Sequence, residues 1–171
     1  MKELLTHHPE AFAILEASVA ENPDRIDNAY AELLGGYDSD PTTILKATVI
    51  IEPGSYNGTI SSWNIPFLAF CAHHFVPFTG TIDVHYVPNT MILGIGKIPR
   101  LAKCRSSRFQ LQEYLVSEIA NDMLVHGDAR AVEVTAMAKH ICVCYRGPDE
   151  PTVTQTTSLR LGEVSQLQIR S

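Results

Sequence analysis

The sequence lacks the features that mark membrane and nucleic-acid-binding proteins. No stretch of its 171 residues approaches the roughly 18 apolar residues that a transmembrane helix needs. Lys and Arg number 13 against 19 Asp and Glu, which gives a formal net charge of −6, whereas sequence-independent binding to nucleic acid needs clustered cations. We therefore expect no membrane and no nucleic-acid partner, while a local basic pocket for a small anion is still allowed.

A secretory signal and a redox motif are missing as well. The N-terminal MKELLTHHPE contains no apolar run of signal-peptide length, which predicts a cytoplasmic protein. The four cysteines, Cys71, Cys104, Cys142 and Cys144, include no C-x-x-C pair. A thiol redox function is therefore disfavoured, and free thiols or metal ligands are expected.

The order of the patterned segments predicts an α+β fold with an antiparallel sheet and long helices. The segments are helices at 9–21 and from an Asn22 cap to Gly35–Gly36, strands at 43–52 and 81–87, one long helix from about 99 to 124, and strands at 131–145 and 154–161. We expect an N-terminal helical segment over residues 1–36 and a catalytic domain over residues 37–171.

Two short segments carry side chains that bind soft metals. Cys71 and His74 have the C-x-x-H spacing that suits two ligands on one tight turn. Further along, a strand over residues 140–146 would place four polar side chains on one face: His140, Cys142, Cys144 and Arg146. A third ligand from either Cys142 or Cys144 would complete a zinc site with an open fourth position, the pattern of catalytic zinc.

Two other features indicate an anionic ligand that forms hydrogen bonds. Lys97 and Arg100 stand at the predicted start of the long helix, where backbone N–H groups and the helix dipole favour a phosphate. Gln112 and Glu113 follow beside its apolar stripe, and a carboxylate there would match the adjacent N–H groups of a guanine. The alternative is that both pairs belong to solvated helix surfaces.

Four motifs in a fixed order, CAHHFVPFTG, GIGKIPRLAK, RFQLQEYL and HICVCYRG, resemble the GTP cyclohydrolase I family of the tunnelling-fold superfamily. The resemblance implies a zinc ion, Zn2+, held by Cys71, His74 and Cys142. It implies that His73 and His140 transfer protons to the imidazole ring of a purine. It assigns no role to Cys144.

The resemblance also implies how the substrate binds. Gln112 and Glu113 would hold the guanine edge, and the phosphates would contact four cations, Arg25, Lys97, Arg100 and Arg146. The implied reaction opens GTP to 7,8-dihydroneopterin triphosphate and formate. The family forms ring-shaped homo-oligomers with active sites between subunits, so the same assembly is expected.

Three positions depart from the family pattern. Ala72 replaces the glutamate of C-E-H-H, Asn28 stands where a lysine is expected, and Gly96 replaces a serine. These changes keep two alternatives open. One is a paralogue that hydrolyses a different purine, oxidised at C8 or with fewer phosphates, and the other is a non-catalytic binding module that contains zinc.

Overall fold

The computed structural model describes residues 7–46 and 49–169 of the chain. The chain divides into two units, one ending at Leu34 and the other beginning at Gly35. The assignment of residues 1–36 to a helical segment and of residues 37–171 to a catalytic domain stays a prediction, because a break in contacts does not show which part acts alone.

The first unit contains the two predicted helices, α1 (Pro9–Glu21) and α2 (Asp24–Leu33). Asn22 ends α1 by donating its backbone N–H to the carbonyl of Ser18 at 3.1 Å. The prediction that the Asn22 side chain caps the second helix is wrong, since Pro23 precedes α2 and no side chain caps it.

The second unit contains the sheet and the remaining helices. In chain order its elements are α3 (Pro41–Ile44), β1 (Val49–Ile50), β2 (Ile60–Cys71), β3 (Pro77–Pro88), β4 (Met91–Ile92), α4 (Lys97–Ser106), β5 (Phe109–Gln110), α5 (Gln112–Val125), β6 (Ala129–His140), α6 (Ile141–Cys144) and β7 (Gln155–Gly162), with 3-10 turns at Gly35–Asp38 and Val164–Gln166. The five-stranded sheet has the order β5-β2-β3-β6-β7, and β1 pairs separately with β4. All of these pairs are antiparallel except the short β2–β5 pair, which confirms the predicted class.

One face of the sheet packs against α5. Successive side chains of a strand point to opposite faces, so alternate residues of β3 and β6 meet the apolar stripe of the helix. The buried set comprises Ile82, Val84 and Tyr86 of β3, Val132, Val134 and Ala136 of β6, and Leu115, Ile119 and Met123 of α5. Burial stabilises each of the larger side chains by about 1.5–3 kcal/mol, and this layer anchors the helix that begins at Gln112.

The predicted long helix is wrong, because two helices with a strand between them occupy its place. α4 ends at Ser106 and α5 begins at Gln112. Between them β5 pairs in parallel with the end of β2. The apolar spacing continues across the break, but the backbone N–H and C=O groups of β5 find partners in the sheet, and this pairing overrides the helical pattern.

The strand predicted at 131–145 is also too long. β6 ends at His140, and Ile141–Cys144 form a helical turn whose last bond joins the N–H of Tyr145 to the carbonyl of Ile141 at 3.1 Å. The last residue pair with β3 is Phe78 and His140. With no strand to pair with beyond that point, the chain satisfies its backbone groups within a helix instead, so Cys142 and Cys144 do not lie on a strand face.

The strand predicted at 43–52 exists only in part. Its first residues lie in α3, where the Asp40 carboxylate caps the helix by accepting the N–H of Thr42 at 2.9 Å. Of the described residues in this segment, only Val49–Ile50 form a strand, and residues 47 and 48 lie outside the described residues. The strand β2, which carries Cys71, had not been identified from the sequence.

Gly80→Ala is expected to lower the melting temperature. A Cβ at this position would stand 1.9 Å from the Met137 carbonyl oxygen, in the central β3–β6 pairing, and overpacking of this kind costs about 1–3 kcal/mol. Gly35→Ala is the control, since a Cβ there meets nothing within 4 Å. Thermal unfolding followed by circular dichroism compares them. Equal melting temperatures for both variants would contradict the close strand contact at Gly80.

Candidate active site

The turn between β2 and β3 carries the predicted C-x-x-H pair. Cys71 is the last residue of β2, and its carbonyl accepts the N–H of His74 at 3.3 Å. The N–H of Ala72 donates to the carbonyl of Gln110 on β5 at 3.1 Å. These bonds close a tight turn in which the Cys71 side chain is buried while His73 and His74 are exposed.

A second thiol comes from the helical turn that follows β6. The Sγ atoms of Cys71 and Cys142 and a ring nitrogen of His140 all lie within 4.8 Å of one another. In the described part of the chain this is the group of Cys, His, Asp or Glu donors that is close enough to hold a metal ion. The group contains His140, which was predicted for proton transfer, and it does not contain His74, which was predicted as a ligand.

The donors of this group fit zinc. Ligand atoms bound to zinc at about 2.0–2.3 Å stand about 3.5–3.8 Å apart, so atoms within 4.8 Å of one another need to approach by only about 1 Å. Two sulfurs with one imidazole nitrogen favour zinc over cations that prefer oxygen. Burial and the adjacent Cys71 raise the pKa of the Cys142 thiol. The thiolate form therefore needs a compensating cation, which a divalent metal supplies.

His140 is held on two sides. Its ring stacks on Phe78 with a centroid distance of 4.3 Å and an interplanar angle of 6°. Its Nε2 lies 2.8 Å from Oε1 of Gln112. Burial lowers the pKa of the imidazole, and the negative charge of Glu113 opposes that shift. The ring is thus fixed in orientation beside the two thiols.

The predicted zinc, proton-transfer and guanine-binding residues line a single cleft of about 400 Å³. They are Cys71, His73, His74, Gln112, Glu113, His140 and Cys142. His73 reaches toward the thiols, with its Nδ1 3.8 Å from Sγ of Cys71. The cleft is large enough for a purine, and three imidazoles and the Glu113 carboxylate line it.

The predicted phosphate-binding cations are not among the residues that line this cleft. Those of the second unit are Lys97, Arg100 and Arg146. The Lys97 ammonium group donates to the carbonyl of Lys46, and Arg100 is exposed. Arg25 belongs to the first unit, where it forms an ion pair with Glu21 at 3.7 Å.

Comparison with known proteins shows to which family this chain belongs. A model of the family described as GTP cyclohydrolase I matches residues 5–170. GTP cyclohydrolase 1 of Janthinobacterium sp. (strain Marseille) is 36% identical over 165 residues, which cover 95% of this chain and 81% of that protein. The chain belongs to the GTP cyclohydrolase I family. GTP cyclohydrolase 1 of Campylobacter lari is also similar, at 33% identity over 162 residues that cover 95% and 82% of the two chains.

A solved structure shows the fold independently. The archaeosine synthase QueF-Like in its apo form superposes with a TM-score of 0.52 at 16% identity, over 63% of this chain and 96% of that one. At this identity the likeness concerns the fold alone, and it confirms the predicted tunnelling fold for this member of the GTP cyclohydrolase I family.

Several residues of the cleft were not found from the sequence. Gln110 lines the cleft, and its backbone carbonyl accepts the N–H of Ala72 in the turn after Cys71. Three polar residues of β7 also line it, Gln155, Thr156 and Thr157. A single sequence gives no signal for them, because polar residues on an edge strand are typical of a solvated surface. The family resemblance likewise named none of them.

The four cysteines are all free thiols, which agrees with the expectation of thiols or metal ligands rather than disulfides. Among the described residues, no helix combines the length and the apolar character that crossing a bilayer requires.

Proposed function

We propose that this member of the GTP cyclohydrolase I family hydrolyses the imidazole ring of GTP, giving 7,8-dihydroneopterin triphosphate and formate. One observation carries the proposal: a single cleft holds two thiols and an imidazole nitrogen within 4.8 Å of one another, together with the carboxylate of Glu113. The family match over residues 5–170 supports GTP as the substrate.

Cys71, Cys142 and His74 are proposed to hold zinc. Cys71 and Cys142 already converge, and His74 lines the same cleft on the exposed turn that follows Cys71. When bound, zinc supplies Lewis-acid activation of water near neutral pH. This assignment leaves His140 available for proton transfer.

Glu113 is proposed to select the purine. Within residues 7–46 and 49–169 its side chain forms no hydrogen bond or ion pair, and it lines the cleft. A carboxylate accepts two parallel N–H bonds, which match the N1–H and 2-amino groups of guanine. Adenine has no N–H donors at those two positions, so a site built around this carboxylate rejects it.

His140 and His73 are proposed to move protons on the imidazole half of the purine. A proton delivered to N7 makes C8 electrophilic, so that water adds there, the C8–N9 bond breaks, and a second water releases the carbon as formate. The ribose then rearranges and closes on the freed amine with loss of one water, which gives the pterin ring. Imidazole suits this role because its pKa lies near working pH. The orientation of His140 is fixed by Phe78 and Gln112, whereas His73 is exposed.

The phosphates are proposed to bind Lys97, Arg100 and Arg146 together with Arg25. The first three do not line the cleft of the described chain. A neighbouring subunit is therefore proposed to supply some of the four cations. A ring-shaped homo-oligomer with sites between subunits would supply them. A reducing compartment, the cytoplasm, belongs to the same proposal, since a site that depends on Cys71 and Cys142 needs both as thiols.

The purified protein loaded with zinc is expected to release one formate per GTP, with the accompanying change in ultraviolet absorbance. ATP is expected to react at least about 10³-fold more slowly, because it cannot satisfy Glu113. GMP, guanosine, guanine and the 8-oxo form of each are assayed beside GTP with the same preparation. Turnover of an oxidised or unphosphorylated purine with inert GTP would replace the proposal by a paralogue. Inertness toward all of them would indicate a binding module.

A further inference from the structure

Gln112 occupies the start of α5 at the wall of the cleft, yet it is hardly accessible. The residue is 3% exposed, whereas its neighbour Glu113 is exposed. The two residues were expected to hold the guanine edge together. Their different environments point to different roles.

Both hydrogens of the Gln112 side-chain amide are already used. Nε2 donates to the carbonyl of Ala136 on β6 at 3.0 Å and to the carbonyl of Gln155 at the start of β7 at 3.1 Å. Carbonyl oxygens accept only, so this end of the amide must be the NH2 group. The amide consequently bridges two strands and has no donor left for a purine.

The remaining end of the amide faces His140. With Nε2 directed at the strands, Oε1 of Gln112 lies 2.8 Å from Nε2 of His140. An amide oxygen accepts only, so His140 carries its hydrogen on Nε2, and Nδ1 is the ring nitrogen left for other partners. The contact therefore fixes which edge of the ring faces the cleft.

Phe78 restrains the same ring in the perpendicular direction. Its side chain is fully buried, and it stacks on the imidazole at 4.3 Å with the planes 6° apart. Stacking leaves the ring free to turn in its own plane, and the hydrogen bond from its edge removes that freedom. The two contacts together hold His140 in one orientation.

We propose that Gln112 is a positioning residue that acts through His140 and does not contact the purine, which Glu113 alone recognises at this edge. The kinetic consequence rests on the proposed cyclohydrolase function, but the hydrogen bond itself does not. It also does not depend on whether His140 moves protons or binds the metal, because in either case Nδ1 is the ring nitrogen left without a hydrogen.

The kinetic test replaces Gln112 with Met, which keeps the length of the side chain and removes its hydrogen bonds. Loss of such a supporting contact lowers activity about 10–100-fold, and we expect this loss in kcat with KM for GTP within about threefold of wild type. Glu113→Gln is the comparison variant, and it is expected to raise KM. A smaller folded fraction would also lower the apparent kcat without changing KM, so the assays are run well below each melting temperature and kcat is expressed per folded protein.

Substrate discrimination gives a second readout. ITP lacks the 2-amino group of GTP, so the ratio of kcat/KM for the two nucleotides reports contacts at that edge of the base. Gln112→Met is expected to keep the wild-type ratio within about threefold, while Glu113→Gln is expected to change it by tenfold or more. A Gln112→Met variant with raised KM, unchanged kcat and an altered ratio would overturn the proposal and indicate that Gln112 contacts the purine.

A spectroscopic test examines the hydrogen bond between Gln112 and His140 directly, and it does not require the protein to hydrolyse a purine. In the 15N NMR spectrum of the purified full-length protein, the imidazole signals of His140 are identified by their loss in His140→Ala. At a pH where the ring is neutral, wild type is expected to carry the hydrogen on Nε2, and Gln112→Met is expected to show a mixture of both tautomers. A hydrogen on Nδ1 in wild type, or an unchanged spectrum in the variant, would overturn the positioning role. A protein that opens no purine but shows the expected spectra would contradict the proposed function and leave this inference intact.

Discussion

Cys142→Ala is expected to lose its zinc and to fall below about 1% of wild-type turnover, while Cys144→Ala keeps both. Loss of a residue that merely supports a metal ligand already costs about 10–100-fold, and Cys142 is proposed as a ligand itself. Its Sγ lies within 4.8 Å of Sγ of Cys71. The thiol of Cys144 instead donates to the carbonyl of Val153 at 3.9 Å. Elemental analysis of the purified variants, paired with formate release, measures both quantities.

Cys144→Ala is a matched control because both cysteines lie on the same helical turn and both are buried. Melting temperatures of the two variants show whether either has simply unfolded. Full zinc occupancy in Cys142→Ala together with an empty site in Cys144→Ala would mean that the other thiol of this turn binds the metal.

The choice of Cys142 rather than Cys144 as a proposed ligand does not follow from the predicted local structure, which was inaccurate. Strand alternation would put Cys142 and Cys144 on one face and cannot separate them. The strand ends at His140 because its partner strand begins at Pro77, more than sixty residues earlier. A local pattern does not contain the position of a distant strand end. The family resemblance, which reflects the site rather than local propensity, separated the two cysteines.

The class of fold could be predicted because it depends on the order of helical and extended patterns, which is local information. The break between α4 and α5 could not. Nothing in the local sequence separates Phe109 and Gln110 from the helical pattern on either side, and their pairing with the edge of β2 makes them a strand. The change from helix to strand matters for the site, because the Gln110 carbonyl then accepts a hydrogen bond from the turn after Cys71.

The sequence also does not predict that neighbouring side chains have different environments. Gln112 and Glu113 look alike in an exposed helix pattern, yet one is buried among strand carbonyls and the other stands in the cleft. The difference arises because α5 begins where β6 and β7 lie side by side. Such differences depend on tertiary packing, so a local sequence pattern does not contain them.

His140→Ala and His74→Ala are expected to differ in metal content and both to lose activity. His74→Ala removes a proposed zinc ligand, so its zinc occupancy should fall well below one per chain. His140→Ala should keep its zinc and lose turnover by about 10²–10⁴-fold, the usual contribution of a general acid or base. Elemental analysis and formate release are measured on both, with His126→Ala, at the far end of α5, as a control expected to match wild type.

The outcome is informative because the geometry and the family resemblance name different imidazoles. A ring nitrogen of His140 is within 4.8 Å of both thiols, while His74 is exposed on a turn that carries Cys71. An empty site in His140→Ala with full zinc in His74→Ala would make His140 the third ligand, and the proton-transfer role would then pass to His73 alone. Substitution of cobalt for zinc resolves intermediate cases, because its absorption spectrum changes when an imidazole ligand is lost. Retained zinc with little turnover in His140→Ala, at an unchanged melting temperature, would support a histidine that acts on the substrate, because the ring of His140 lines the cleft.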